Sequence, residues 1–190
     1  MKKVGILAIQ GDFYEHKLIL EKLDIPYKFV KNKEDFKDIY GLIIPGGEST
    51  TLRKIIKSNN LEDEILKWKE EEKPTLGTCA GIIIMSKKIL NDEEGRGFGF
   101  LDIEIERNAY GRQKESFIAE VEYSFGYKSK VAFIRAPIIR KINKGEVIAK
   151  LGDEIVGIKD KNFIGITFHP EITFDTKLHE FFLKLLWLDL

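Results

Sequence analysis

Pro74-Thr75-Leu76-Gly77-Thr78-Cys79-Ala80-Gly81 is the stretch whose reading decides the fold. Pro74 to Thr78 predicts a short strand, and Ala80 to Leu90 predicts a helix. Cys79 stands at the junction, with a glycine two residues before it and another two after. A nucleophile on a tight strand-to-helix turn needs that spacing. The turn holds the nucleophile in a strained backbone conformation, and side chains at the flanking positions would collide with the neighbouring strand and helix. A helix starting at Ala80 points its amides at the sulfur, which favours the thiolate and offers donors to an oxyanion. Taken alone, the elbow leaves two readings open: a catalytic thiol, and a buried structural one.

Outward from this turn, strand and helix patterns alternate. Val4 to Ile9 is an apolar, β-branched run closed by Gly11-Asp12, and predicts a buried strand. Phe13 to Leu23 has helical spacing, and Pro26 opens a short strand through Val30. Gly41 to Ile44 is a further strand, followed by helices over Thr51–Ile56 and Leu61–Glu72. That order predicts a parallel sheet with helices on both faces. Beyond Leu90 the pattern changes. Asn91 to Gly99 is a loop without a usable motif. Leu101–Arg107, Ser116–Tyr123, Lys130–Arg135, Glu146–Leu151, Glu154–Lys159 and Asn162–Phe168 predict strands, several of them antiparallel. Gly152-Asp153 and Lys161-Asn162 are hairpin turns between them, and a helix from Phe174 to Leu188 closes the chain. The expectation is a single α/β domain over residues 1–190. Its sheet is open, mixed and mostly parallel, flanked by helices, with an antiparallel annex.

Composition narrows the function classes. Lys+Arg and Asp+Glu both number 31, so a nucleic acid has no basic excess to bind. No apolar run is long enough to span a membrane, and none has the form of a signal peptide. One cysteine permits no internal disulfide and points to a reducing compartment, the cytoplasm. No ligand cluster has metal-site spacing, so neither a metal nor another cofactor is expected.

Two further loops end apolar strands. Ile164-Gly165-Ile166-Thr167-Phe168-His169-Pro170-Glu171 delivers a histidine at a strand's carboxyl end, with a carboxylate two residues on. A cysteine nucleophile needs a base, and the base needs a partner on its other ring nitrogen. A capping histidine is the bland alternative. His16 and His179 lie within helical patterns, read as surface or packing residues, and receive no role. Leu42 to Thr50 contains Pro45-Gly46-Gly47-Glu48-Ser49-Thr50, where glycines let backbone amides turn toward a ligand. The amides of Gly47 and Ala80 are candidates for an oxyanion hole. A plain turn remains an alternative, whereas a phosphate loop lacks its Gly-Lys-Ser/Thr signature.

Pro45-Gly46-Gly47, Gly77-Thr78-Cys79-Ala80-Gly81 and His169-Pro170-Glu171, in that order, resemble the class I (triad-type) glutamine amidotransferases. Gly5 to Gly11, Pro45 to Thr50, Glu106-Arg107-Asn108-Ala109-Tyr110-Gly111-Arg112-Gln113 and Phe133-Ile134-Arg135-Ala136-Pro137 look like the glutaminase subunits of pyridoxal phosphate synthase. The resemblance covers essentially the whole chain. It implies hydrolysis of L-glutamine through a thioester on Cys79, with His169 and Glu171 completing the triad. It further implies ammonia transfer to a separate synthase subunit, and glutamine contacts at Gly46, Gly47, Glu48, Arg107, Ile134 and Arg135. Glu48 suits the substrate ammonium, and Arg107 or Arg135 its carboxylate. For both arginines the alternative is a structural ion pair. Gln10 touches either the site or the partner. The same resemblance implies an oxyanion hole that is incomplete at rest, its Pro45 to Thr50 loop switching when the synthase docks. The alternatives are a glutaminase subunit serving another synthase, such as imidazole glycerol phosphate synthase, an inactive regulatory module of the same fold, and a cysteine protease on a similar scaffold.

Overall fold

The computed structural model describes residues 2–111 and 115–187. Arg112, Gln113 and Leu188, which belong to stretches quoted above, lie outside the described residues. The first half alternates as expected: β1 (Lys3–Leu7), α1 (Phe13–Lys22), β2 (Tyr27–Val30), β3 (Ile39–Ile44), α2 (Ser49–Ser58), α3 (Glu62–Glu70), β4 (Thr75–Thr78) and α4 (Ala80–Met85). The second half is strand-rich: β5 (Ser86–Ile89), β6 (Leu101–Glu106), β7 (Ser116–Tyr123), β8 (Lys128–Ile134), β9 (Ile138–Ile142), β10 (Glu146–Leu151), β11 (Glu154–Asp160) and β12 (Phe163–Ile166), followed by α5 (Lys177–Trp187).

One nine-stranded sheet runs in the order β2-β1-β3-β4-β12-β11-β10-β7-β8. Its first five strands pair parallel, and from β12 to β8 every pair is antiparallel. The parallel and antiparallel halves therefore share β12. The hairpins expected at Gly152-Asp153 and Lys161-Asn162 are present, with Leu151 paired to Glu154 and Asp160 to Phe163. The antiparallel half curls back on itself. Its last strand, β8, meets the chain just beyond β12, where the His169 amide donates to the Ala132 carbonyl at 2.8 Å.

Neighbouring residues of the central strands face opposite sides, as a two-residue period requires. Leu7 and Ile44 join Leu52, Ile56, Trp68 and Ile82 on the face covered by α2, α3 and α4. Ile6 and Ile43 join Leu76, Phe168, Leu178 and Phe182 on the face covered by α5. The apolar runs are continuous because both faces are buried.

Besides a short 3-10 turn at Lys33–Phe36 and a closing helix that starts at Lys177 rather than Phe174, two elements differ from the sequence reading. The helix expected over Ala80–Leu90 ends at Met85, and Ser86–Ile89 becomes a strand paired in parallel with β6. One local and one tertiary contact take the last carbonyls of the helix. The Ser86 hydroxyl donates to Ile83 O at 2.7 Å, and the Phe98 amide donates to Ile84 O at 2.7 Å. The second is β9, which pairs antiparallel with β6 to build a three-stranded sheet, β5-β6-β9. Its sequence, Ile-Ile-Arg-Lys-Ile, has no strict alternation to announce it.

The carboxyl ends of β1, β3, β4 and β12 point the same way, which is where open α/β sheets carry their sites. Two glycines permit the turn after β4. A Cβ on Gly81 would lie 2.1 Å from the Ile44 carbonyl oxygen, and one on Gly77 would lie 2.8 Å from the Gly81 carbonyl carbon. Both obstacles are backbone, which cannot swing aside as a side-chain end can. Gly81→Ala is therefore expected to destabilise the protein by about 1–3 kcal/mol, as overpacking does, and to disable the turn. Urea unfolding measures the first effect; an unchanged midpoint would show that β3 and α4 can separate.

Candidate active site

Cys79 adopts φ 49° and ψ −103°, a left-handed conformation that costs of order 1–3 kcal/mol for a residue other than glycine. Its amide donates to Ile166 O of β12 at 3.0 Å, which anchors the turn to the neighbouring strand. The thiol is 4% exposed and directs its proton to the Ile134 carbonyl at 3.7 Å.

His169 enters from the end of β12. Its Nδ1 lies 2.7 Å from Glu171 Oε1 and 3.2 Å from Asp12 Oδ2. One ring nitrogen thus faces two carboxylates, which leaves the other for proton exchange at the thiol. Burial works against charge on this ring. Asp12, Cys79 and Glu171 outweigh it and hold the ring's pKa well above the usual histidine value. Glu171 is fully buried. Burial raises its pKa, and His169 opposes that rise.

A cavity of about 450 Å³ opens beside these groups, lined by Asp12, Gly47, Glu48, Cys79, Arg107, Ile134, Arg135 and His169. Glu171 lies behind the histidine, outside the cavity wall. A larger groove of about 980 Å³, which includes Lys33, Trp68, Lys73 and Pro74, lies at the opposite ends of the parallel strands and holds no cysteine or histidine.

The expected substrate residues occupy different positions around this cavity. Gly46 is tied down: its amide donates to Thr78 Oγ1 at 3.1 Å and its carbonyl accepts from the Asp12 amide at 3.0 Å. A Cβ there would lie 2.3 Å from His169 Cε1. Gly47, at φ 147°, is exposed on the rim, packed against Gln10 so closely that a Cβ would meet Gln10 Oε1 at 2.5 Å. Gln10 in turn accepts the Glu48 amide at 3.2 Å. The Glu48 carboxylate caps α2, accepting from the amides of Thr50 (3.1 Å) and Thr51 (2.6 Å). Burial opposes its charge, but the bonds from Thr51 and Thr50 more than offset this and lower its pKa. Ala80 is fully buried in the first position of α4. Ile134 and Arg135 are exposed at the end of β8, Arg135 at φ 45°.

Arg107 is gripped from the loop that the sequence reading left without a motif. Asn91 accepts its amide and donates to its carbonyl, both at 2.8 Å. The guanidinium donates to Asp92 Oδ1 at 2.9 Å and Thr50 Oγ1 at 2.7 Å. Asp92 also pairs with Arg53 at 2.6 Å. The loop therefore fixes an arginine on the cavity wall.

Sequence reasoning also missed Asp12, Thr78 and the two helical histidines. Asp12 follows β1 at the same sheet edge as Cys79, and that strand-end position was its signal. His16 and His179 are wholly buried. His16 shares the inward stripe of α1 with Ile19 and Leu20, a spacing visible in the sequence. Asp12, His169 and Glu171 bring their ligand-type atoms within 4.8 Å of one another; hydrogen bonding to a single imidazole nitrogen accounts for that cluster.

Residues 6–187 match the SNO glutamine amidotransferase family. The chain belongs to this family. It is 44% identical over 184 residues to pyridoxal 5'-phosphate synthase subunit PdxT of Pseudothermotoga lettingae, covering 96% of this chain and 94% of that one. The subunit PdxT of Thermus thermophilus is 45% identical over 184 residues, with 96% of each chain covered. A solved glutamine amidotransferase superposes with a TM-score of 0.90 at 44% identity, over 96% of this chain and 98% of that one. PurLQS of Thermotoga maritima, at 17% identity and a TM-score of 0.71, shares the fold.

Family membership gives Asp12 a measurable consequence. Its carboxylate favours the charged form of His169, so removing it lowers the pKa of that ring. If imidazolium and thiolate are the reactive pair, activity fades as rising pH deprotonates the ring. Asp12→Asn is expected to move the alkaline limb of kcat/KM for glutamine to lower pH by roughly half a unit to one unit. An alkaline limb unmoved by the substitution would remove Asp12 from the proton inventory.

Proposed function

We propose that this protein hydrolyses L-glutamine to L-glutamate and ammonia, and supplies the ammonia to a separate synthase subunit that makes pyridoxal 5'-phosphate. The observation that carries the reading is the strained Cys79 beside a histidine whose far nitrogen faces two carboxylates, in a chain 44–45% identical to PdxT subunits along almost its whole length.

Cys79 attacks the side-chain amide carbon of glutamine as the thiolate, its proton having passed to His169. The carbonyl oxygen becomes an oxyanion, for which the amides of Gly47 and Ala80 are the proposed donors. When the tetrahedral centre collapses, the C–N bond breaks and His169 returns the proton to the departing nitrogen, which leaves as ammonia. A γ-glutamyl thioester remains on Cys79. Water, deprotonated by His169, attacks the thioester, the C–S bond breaks, and glutamate leaves while the thiol is restored. Glu171 fixes the ring's tautomer and stabilises its charged form throughout.

In this reading the substrate lies in the cavity with its reacting amide toward Cys79. Arg107 and Arg135 meet its carboxylate, and Glu48 its ammonium, with Gly46, Gly47 and Ile134 as the remaining contacts. Glu48 caps α2 in the resting arrangement, so that contact requires the Pro45 to Thr50 loop to rearrange. Docking of the synthase is the event we assign to that change. The chain acts in the cytoplasm. Its single cysteine supports that reading, and among the described residues no helix is long and apolar enough to cross a membrane.

Glutamate release tests the proposal. The rate with the synthase subunit is expected to exceed that of the chain alone by at least about tenfold, as gating by a docked partner implies. Cys79→Ala is expected to abolish the rate in both cases. Equal rates with and without the synthase would remove the switching loop, and activity in Cys79→Ala would remove the nucleophile.

A further inference from the structure

Behind the triad lies a second layer of buried polar groups that the reaction above does not use. His16 on α1 and His179 on α5 are both fully buried and 163 residues apart, and His16 Nδ1 lies 2.8 Å from His179 Nε2. The other nitrogen of His16, Nε2, lies 3.2 Å from Thr78 Oγ1 and 3.6 Å from Glu171 Oε1. Thr78 Oγ1 also accepts the Gly46 amide. Three elements and the glycine loop thus converge on the buried side of Glu171.

Hydrogen bonding orients this chain. His179 Nδ1 has no hydrogen-bond partner among the described residues. A bare ring lone pair is tolerated in a protein interior more readily than a bare N–H. The proton of His179 therefore belongs on Nε2, where it is donated to His16 Nδ1. His16 then carries its own proton on Nε2, facing Thr78 and Glu171. The opposite arrangement would leave an N–H of His179 buried without a partner and turn a His16 lone pair toward the carboxylate. Both rings are neutral. Burial lowers the pKa of His16 well below the ordinary value, with His179 and His169 adding to the effect, and burial takes His179 down to about 3.

We propose that His16 is a positioning residue for the glutaminase reaction: its Nε2–H, set in place by His179, faces Glu171 and keeps that buried carboxylate charged and aligned on His169. The inference rests on the proposed triad. The groups that face Glu171 are His169 from its own loop, His16 from α1, Asp12 before α1, and Tyr123 from β7, whose hydroxyl donates to Asp175. Of these, His16 supplies a neutral donor on the side away from the substrate. Without it, the carboxyl holds its proton to higher pH and His169 loses its anchor.

The test combines kinetics of the chain in complex with its synthase subunit and nitrogen-15 NMR of the histidines in the wild-type chain. His16→Phe is expected to lower kcat roughly tenfold, because it removes the N–H dipole that lies 3.6 Å from the buried carboxylate. It should leave KM for glutamine within about twofold, since it removes no ground-state contact. The acid limb of kcat/KM should move up by about one unit. His16→Gln, which keeps an N–H near the position of Nε2, is expected to bring the limb back toward wild type. His179→Phe should shift the limb in the same direction as His16→Phe, by less. In the wild-type NMR spectrum His16 and His179 should both be neutral Nε2–H tautomers throughout the neutral range. An Nδ1–H tautomer at His16 would overturn the proposal, whether or not the variants fold. So would acid limbs in His16→Phe and His16→Gln that match wild type. If the wild-type complex releases no glutamate, the glutaminase reading fails instead, while the tautomer result still tests the hydrogen-bond chain.

Discussion

Cys79 sits in a backbone conformation that its side chain disfavours, and the centre of the molecule is arranged to keep it there. Strand β4 lies between β3 and β12, and the turn after it is held from both sides. Gly81 lets α4 press on the Ile44 carbonyl, and the Cys79 amide is fixed to Ile166. Strain of this size, of order 1–3 kcal/mol, persists only where surrounding contacts over-determine it. The cost is met by cores on two faces of the sheet, whose Leu76, Ile43 and Ile44 side chains are inaccessible to solvent. Because β12 is hydrogen-bonded to β4 along its length, the strand that fixes the cysteine also delivers the histidine. The short loop after β12 and the close register of the two strands leave little freedom in where His169 lies.

Electrostatics completes what the backbone begins. An imidazole facing two carboxylates through one nitrogen has its far side committed, and its near side is left for the thiol. Burial alone would strip charge from Glu171 and from His169; the carboxylates and the thiol more than offset it at the ring, and the ring offsets it in part at Glu171. The neutral His16 and His179 lie behind them without adding charge to an already crowded interior. On the cavity's outer wall the logic is reversed. The Arg107 guanidinium lies near the surface, and Asn91, Asp92 and Thr50 hold the residue in place.

Local signals in the sequence carried much of this. The alternation of strand and helix through Cys79, the flanking glycines and the two hairpin turns depend on residues close in sequence, and the structure has the expected elements there. The elbow glycines meet backbone obstacles of the kind inferred from spacing alone. What escaped reading depends on distant partners. The helix after Cys79 ends at Met85, where the amide of Phe98, beyond the next loop, takes the Ile84 carbonyl, and no propensity of residues 86–90 announces that. Strand β9 exists because β6 offers it an edge. Asp12, Thr78, His16 and His179 come together from two helices, a strand and a loop, up to 163 residues apart. Asn91 and Asp92 looked like loop filler because their partner, Arg107, is fixed by side-chain bonds that leave no periodic trace.

In the proposed reaction glutamine becomes covalently attached to Cys79. The most direct measurement is acid-quenched mass spectrometry of the chain turning over glutamine with its synthase subunit, followed by mapping of the modified peptide. A γ-glutamyl group is expected on the peptide carrying Cys79, formed during turnover and absent once glutamine is exhausted. Glutamate release with no adduct at any time of quench, or with an adduct on a different residue, would contradict it.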